Sequence, residues 1–183
     1  MTQGIILAAG YSSRAKTNKM LLTYNDKFLL SYAIEGMLPF VDHVFVVTGH
    51  YHDEVINIIN QYAKVSAVFN PIYDQGMFTS VQAGVMMTNG DFFILPGDCP
   101  FVSAETYQKL LNGHKDVRVP VYENKQGHPL FIMSSLKEKL LEEPPTSNLK
   151  VFRNRFDYEI IKTDDPKILI DIDTQYDYQA LNK

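Results

Sequence analysis

The chain has 183 residues, 45% of them hydrophobic and 21% charged, a balance that excludes a largely disordered or collagen-like protein. Its length is that of one domain, enough to bury a core without disulfide or metal staples. Seventeen basic side chains against 21 acidic ones leave a formal net charge of −4, so the basic surplus of a general nucleic-acid binder is absent.

Gly4 to Ala8 is a short apolar run ending in Ala9-Gly10, the pattern of a strand buried on both faces. Leu30, Ala33, Ile34 and Met37 recur at helical spacing within Leu29 to Leu38. A second strand runs from His43 to Thr48, and a helical stripe follows at Val55, Ile58, Ile59 and Tyr62. Val65 to Phe69 reads as a third strand, ending at Asn70-Pro71. A buried helix is predicted over Thr79 to Met87, and a fourth strand over Phe92 to Leu95, ending at Pro96-Gly97-Asp98. Ser103 reads as the N-cap of a helix that turns Tyr107, Leu110 and Leu111 inward.

The second half changes character. Strands are predicted at Val117 to Tyr122 and Leu130 to Met133, with Gly127-His128-Pro129 between them. A helix over Ser134 to Leu141 is stopped by Pro144-Pro145, and another is read over Ser147 to Phe156. Two late strands, Tyr158 to Lys162 and Lys167 to Ile172, precede a terminal helix over Gln175 to Leu181. Alternating strands and helices argue for an α/β domain with a mostly parallel sheet.

Cys99 is the one cysteine, so no intramolecular disulfide forms, which suits a reducing compartment. The N-terminus lacks the basic region of a signal peptide. No apolar run approaches the roughly 20 residues that span a bilayer. The expectation is a cytoplasmic protein that engages neither membrane nor nucleic acid.

Ligands of open α/β sheets bind beyond the carboxyl ends of the strands, where strand order switches. In the common 3-2-1-4 order, the loops after strands one and four share that crevice. The first loop offers small residues at Ala8, Ala9 and Gly10, hydroxyls at Ser12 and Ser13, and cations at Arg14, Lys16 and Lys19. Close backbone approach plus positive charge suits a polyphosphate. On spacing alone it reads equally as a polar turn with solvated bases. Neither a Walker A loop nor the dinucleotide glycine fingerprint is present, which leaves a dehydrogenase little support. The second loop carries Asp98, which reads either as a turn aspartate or as a ligand for Mg²⁺ bridging phosphates. Cys99 has no base near it in sequence and is read as a small buried residue. His50-x-His52 lacks a third ligand for a metal.

Leu7-Ala8-Ala9-Gly10-x-Ser12-Ser13-Arg14 with Lys19 resembles the signature of the MobA-like nucleotidyltransferases. Asn70-Pro71 and Gly76 to Gly84 are similar to that family's second nucleotide-binding segment. Pro96-Gly97-Asp98-Cys99-Pro100 resembles its acidic metal turn, and Gly127-His128-Pro129-Leu130-Phe131 and Asp171-Ile172-Asp173-Thr174 resemble its late motifs. The matches fall in order along almost the whole chain. Leu-Ala-Ala-Gly with Gly-His-Pro looks most like the molybdopterin cytidylyltransferase branch, and Ala9 leans the nucleotide toward CTP. Lys16, Asn18 and Cys99 depart from the pattern, standing where relatives often have Gly, Pro and Gln.

The resemblance implies a Rossmann-like, three-layer α/β/α fold of glycosyltransferase-A type. It implies one nucleotidyltransferase domain over 1–183, its nucleotide half about 1–100 and its acceptor half about 101–183. The implied reaction moves a nucleotidyl group from an NTP to a phosphorylated small molecule, with Mg²⁺, releasing pyrophosphate. Arg14 and Lys19 would hold the β- and γ-phosphates. Asp98 and Asp173 would hold the metal, Asp171 being the alternative to Asp173. Main chain at Leu7, Ala8, Ala9 and Gly10 and the hydroxyls of Ser12 and Ser13 would line the nucleotide. Asn70, Ser80 and Gly84 would contact base or ribose, and His128 the acceptor, its alternative being a turn histidine. The implied acceptor is molybdopterin and the recipient of the product a molybdenum hydroxylase. Sugar-phosphate or other small-molecule nucleotidyl transfer, and a non-catalytic molybdenum-cofactor carrier, stay open as alternatives.

Overall fold

The computed structural model describes residues 1–10 and 19–172, the side chain of Met20 excepted. The expected terminal helix Gln175 to Leu181 lies outside the described residues. In chain order the elements are β1 (Thr2–Ala8), β2 (Thr23–Tyr24), β3 (Lys27–Phe28), α1 (Leu29–Met37), β4 (His43–Thr48), α2 (His52–Ile59), β5 (Val65–Phe69), α3 (Met77–Met87), β6 (Asp91–Pro96) and α4 (Ala104–Leu111). There follow β7 (Val117–Tyr122), β8 (Lys125–Gln126), β9 (Leu130–Ile132), α5 (Lys137–Leu141), α6 (Leu149–Arg153) and β10 (Glu159–Lys162).

One sheet runs in the order β10-β7-β9-β6-β1-β4-β5, with β8 attached to β7. Its first four strands in sequence, β1, β4, β5 and β6, take the anticipated 3-2-1-4 arrangement. β1 lies centrally, parallel to β4 (Ile6 opposite Val46) and to β6 (Ile6 opposite Leu95). β9 is reversed, antiparallel to β6 and to β7. The fold is therefore Rossmann-like α/β with a mostly parallel sheet.

Strand alternation sends successive side chains to opposite faces. Ile6 and Ala8 pack with α1, α2 and α4, whereas Ile5, Leu7 and Ala9 pack with α3, α5 and α6. Helices on both faces make the three layers, and the continuous apolar run of β1 follows from burial on both sides.

Several predicted elements change. Lys167 to Ile172 is not a strand. Pro166–Leu169 forms a 3-10 turn whose Lys167 amide donates to the Asp165 side chain, and a proline that cannot donate to a ladder favours that start. The helix read over Ser147 to Phe156 shortens to α6, capped by Asn148 accepting from the Val151 amide at 2.9 Å. Ser134–Leu136 is a 3-10 turn leading into α5. Ser103 caps α4 as anticipated, its hydroxyl accepting from the Thr106 amide at 3.3 Å.

Candidate active site

β1 and β6 end side by side, and the Gly97 amide donates to the Leu7 carbonyl at 2.9 Å. That bond joins the two loops expected to share the crevice. Lys19 begins the 3-10 turn after the first loop, and its Nζ stands 3.9 Å from Asp98 Oδ2. Leu7, Ala8 and Ala9 are buried and Gly10 is exposed, so the main chain passes from the core to the surface at this edge. Gly49, at the exit of β4, lies so close that a Cβ there would be 2.6 Å from the Ala9 carbonyl oxygen and from the Tyr73 ring. Ser12, Ser13, Arg14 and Asp173 lie outside the described residues.

A cavity of about 590 Å³ opens beside this edge. Leu7, Phe78 and Val81 give it an apolar wall, and Asp98, His128 and Asp171 face it from the other elements. Asn148 and Lys150, at the start of α6, also line it. The sequence reading did not single these two out. The polar run Thr146-Ser147-Asn148 ahead of the apolar residues Leu149, Val151 and Phe152 was the available signal for that capped turn.

His128 reaches the cavity because β9 is reversed, which puts the turn before β9 at the carboxyl ends of β6 and β1. The His128 amide donates to the Ile168 carbonyl at 3.0 Å and the Gly127 amide to the Pro120 carbonyl at 2.9 Å. Gly127 is required for that approach, since a Cβ would sit 2.3 Å from the Ile168 oxygen. Nδ1 of His128 is buried and has no hydrogen-bond partner among the described residues. Burial pushes the imidazole pKa down to about 4, against the opposing pull of the Asp171 charge and with a smaller push from Arg153. The ring is neutral at pH 7, with one nitrogen to donate and one to accept.

Asn70, Ser80 and Gly84, expected at base or ribose, are buried in other work. Asn70 Nδ2 donates to Thr79 Oγ1 and Ser80 Oγ, each at 2.9 Å, while Oδ1 accepts from the Ile72 amide at 3.1 Å. Gly84 faces the sheet, where a Cβ would meet Ile5 Cγ2 at 2.5 Å and Val47 Cγ2 at 2.9 Å. These contacts fix the start of α3 and its packing on β1 and β4.

Asp98 and Asp171 are the described carboxylates lining the cavity. No group of three or more His, Cys, Asp or Glu side chains gathers to hold a metal among the described residues. Such a sparse set fits Mg²⁺, which is commonly bound by one or two carboxylates plus the phosphates of its substrate. Cys99 is 2% exposed and its thiol faces Asp98 Oδ1 at 3.8 Å. No described helix is long and apolar enough to cross a membrane.

Residues 4–157 match the model of the MobA-like NTP transferase domain. The molybdenum cofactor cytidylyltransferase of Escherichia coli K12 is 27% identical over 176 residues, covering 95% of this chain and 92% of its own. A probable molybdenum cofactor guanylyltransferase of Methanocaldococcus jannaschii is 25% identical over 166 residues, covering 81% and 80%. Among solved structures, a nucleotidyl transferase from Methanothermobacter thermautotroptrophicus superposes with a TM-score of 0.84 at 22% identity, covering 99% and 95%. With the family model spanning most of the sheet and both loops of the crevice, the chain belongs to the MobA-like NTP transferase family and is a nucleotidyltransferase.

Proposed function

We propose that the chain transfers CMP from CTP to the phosphate of molybdopterin and releases pyrophosphate, acting as one domain in the cytoplasm and supplying a molybdenum hydroxylase. The observation that carries this reading is the pairing of Lys19 with Asp98, which lines a cavity that His128 also lines. The likeness to a cytidylyltransferase over 95% of the chain supports CTP. The single cysteine and the absence of a described membrane-spanning helix support the compartment.

In this reading a phosphate oxygen of the acceptor attacks the α-phosphorus of CTP. The bond from that phosphorus to the β-bridging oxygen breaks, and the electron pair leaves with pyrophosphate. An acceptor phosphate is already anionic at neutral pH, so no strong base is needed, and catalysis rests on position and electrostatics. Main chain at Leu7 to Gly10, with Ser12 and Ser13, holds the nucleotide. Lys19 and Arg14 neutralise the β- and γ-phosphates as charge builds on the leaving group. Asp98, with Asp173, would hold Mg²⁺, which when bound neutralises and orients the phosphates. His128 meets a neutral polar group of the acceptor, since burial denies it the charge needed to pair with a phosphate.

The first test is thermal stability with CTP, GTP, ATP and UTP in turn, each with and without Mg²⁺. A ligand at ~100 times its Kd adds about 2.7 kcal/mol, a shift of roughly 5–10 °C for a domain of this size. A Mg²⁺-dependent shift with CTP alone is expected, followed by pyrophosphate release once molybdopterin is added. A shift with GTP instead would move the nucleotide, and no shift with any of the four would overturn the reading.

A further inference from the structure

Two stretches of chain bring groups to the cavity from the second half of the sequence. One is the turn from Asp98 to Ser103, and the other runs from Thr163 to Ile172 and carries Ile168 and Asp171. They lie against each other in opposite directions and are tied at both ends. At one end the Ile172 amide donates to the Asp98 carbonyl at 3.0 Å. At the other stands the buried carboxylate of Asp165, 8% exposed. Its Oδ2 accepts from the Ser103 amide at 2.8 Å and from the Thr106 hydroxyl at 3.1 Å, and its Oδ1 accepts from the Lys167 amide at 3.0 Å. Thr163 completes the cluster, its hydroxyl 3.0 Å from that of Thr106 and its amide donating to Val121 of β7 at 3.0 Å.

A buried carboxylate needs such donors, because leaving it unsatisfied is costly. Here each oxygen serves a different stretch. Oδ2 fixes the end of the turn that carries Asp98. Oδ1 starts the 3-10 turn whose Ile168 carbonyl receives the His128 amide. We propose that Asp165 is a positioning residue for nucleotidyl transfer. Through the Thr163 to Ile172 strap it sets the places of His128 on the acceptor side and of Asp98 on the nucleotide side together. Asp165 itself touches neither ligand. The kinetic part of this inference rests on the function proposed above, and the structural part stands apart from it.

The test is amide hydrogen exchange on the full chain for the wild type, Asp165→Ala and Asp165→Asn. In Asp165→Ala the amides of His128 and Ile172 should exchange faster by about tenfold or more, the scale of a lost buried acceptor. The amides of Ile5 and Ile94 in the central strands should keep their wild-type rates. Asp165→Asn retains one carbonyl oxygen as acceptor and should fall between the two. With CTP, Mg²⁺ and molybdopterin, Asp165→Ala should raise the acceptor KM and lower kcat while the binding of CTP changes least. Unchanged exchange at His128 and Ile172, or equal acceleration across every strand, would overturn the positioning role. A protein without transfer activity would fail the proposed function, and the exchange result would still decide this one.

Discussion

Lys19 Nζ stands 3.9 Å from Asp98 Oδ2, across the join between the loops that follow β1 and β6. At that distance, with both side chains partly exposed, the pair contributes at most about 1 kcal/mol to stability. Asp98→Asn and Lys19→Ala should therefore leave folded protein with nearly unchanged melting temperatures. Their cost should fall on turnover, by about 10²–10³ in kcat for each. Pyrophosphate release measured beside thermal melts separates the two effects, and an active Asp98→Asn would remove that residue from the metal.

His128 makes stability depend on pH. Its folded pKa of about 4 lies below the ordinary 6.5, so the unfolded chain binds the proton more readily. The stabilising difference is complete above pH 6.5 and is lost progressively as pH falls toward 4, by about 2–3 kcal/mol. Urea unfolding at pH 7 and pH 5 should show this loss, and His128→Gln should flatten it. An equal slope in the variant would show that other groups carry it.

Gly127→Ala would place a methyl group 2.3 Å from the Ile168 oxygen, a backbone atom that cannot turn aside. The expected cost is about 1–3 kcal/mol, a fall of roughly 3–10 °C in Tm. Because the clash lies where the strap passes the His128 turn, the acceptor KM should rise more than the nucleotide KM. Equal changes in both would place the damage elsewhere.

Asn70→Ala removes the donor shared by the Thr79 and Ser80 hydroxyls, both buried. Differential scanning calorimetry should show a loss of about 1–3 kcal/mol. Gly84→Ala should cost a similar amount by overpacking Ile5 and Val47. In each variant the kcat of the folded fraction should stay within about threefold of wild type, as for a support rather than a ligand contact.

The central strands were legible because burial on both faces writes them as apolar runs, as in Ile5-Ile6-Leu7-Ala8 and Phe92-Phe93-Ile94-Leu95. Their order let the sequence anticipate that the loops carrying Lys19 and Asp98 would share a crevice. Two small hairpins escaped notice. β2 and β3 turn through Asn25 and Asp26 (φ 47° and 60°), and β7 and β8 through Glu123 and Asn124 (φ 45° and 66°). A two-residue loop with both φ positive favours Asn and Asp, so Asn25-Asp26 was the readable signal. The internal contacts of Asn70 and Gly84 were not readable. A polar side chain and a glycine suit a ligand or a crowded interior equally until their neighbours are known. Asp165 was silent for the same reason, since two of its three donors, Ser103 and Thr106, lie about 60 residues away in sequence.

β9 runs against its neighbours, so His128 arrives on a connection that leads into a strand, whereas Leu7 and Asp98 lie where strands end. On the function proposed above, the donor and recipient sides of the cavity thus hang on separate joints of one frame. Exchanging the chain between Tyr122 and Gly127 would not disturb the register of β1 with β4 and β6. If those sides are as proposed, a lineage built on this frame is free to change which molecule receives the nucleotide while inheriting the apparatus that splits the triphosphate.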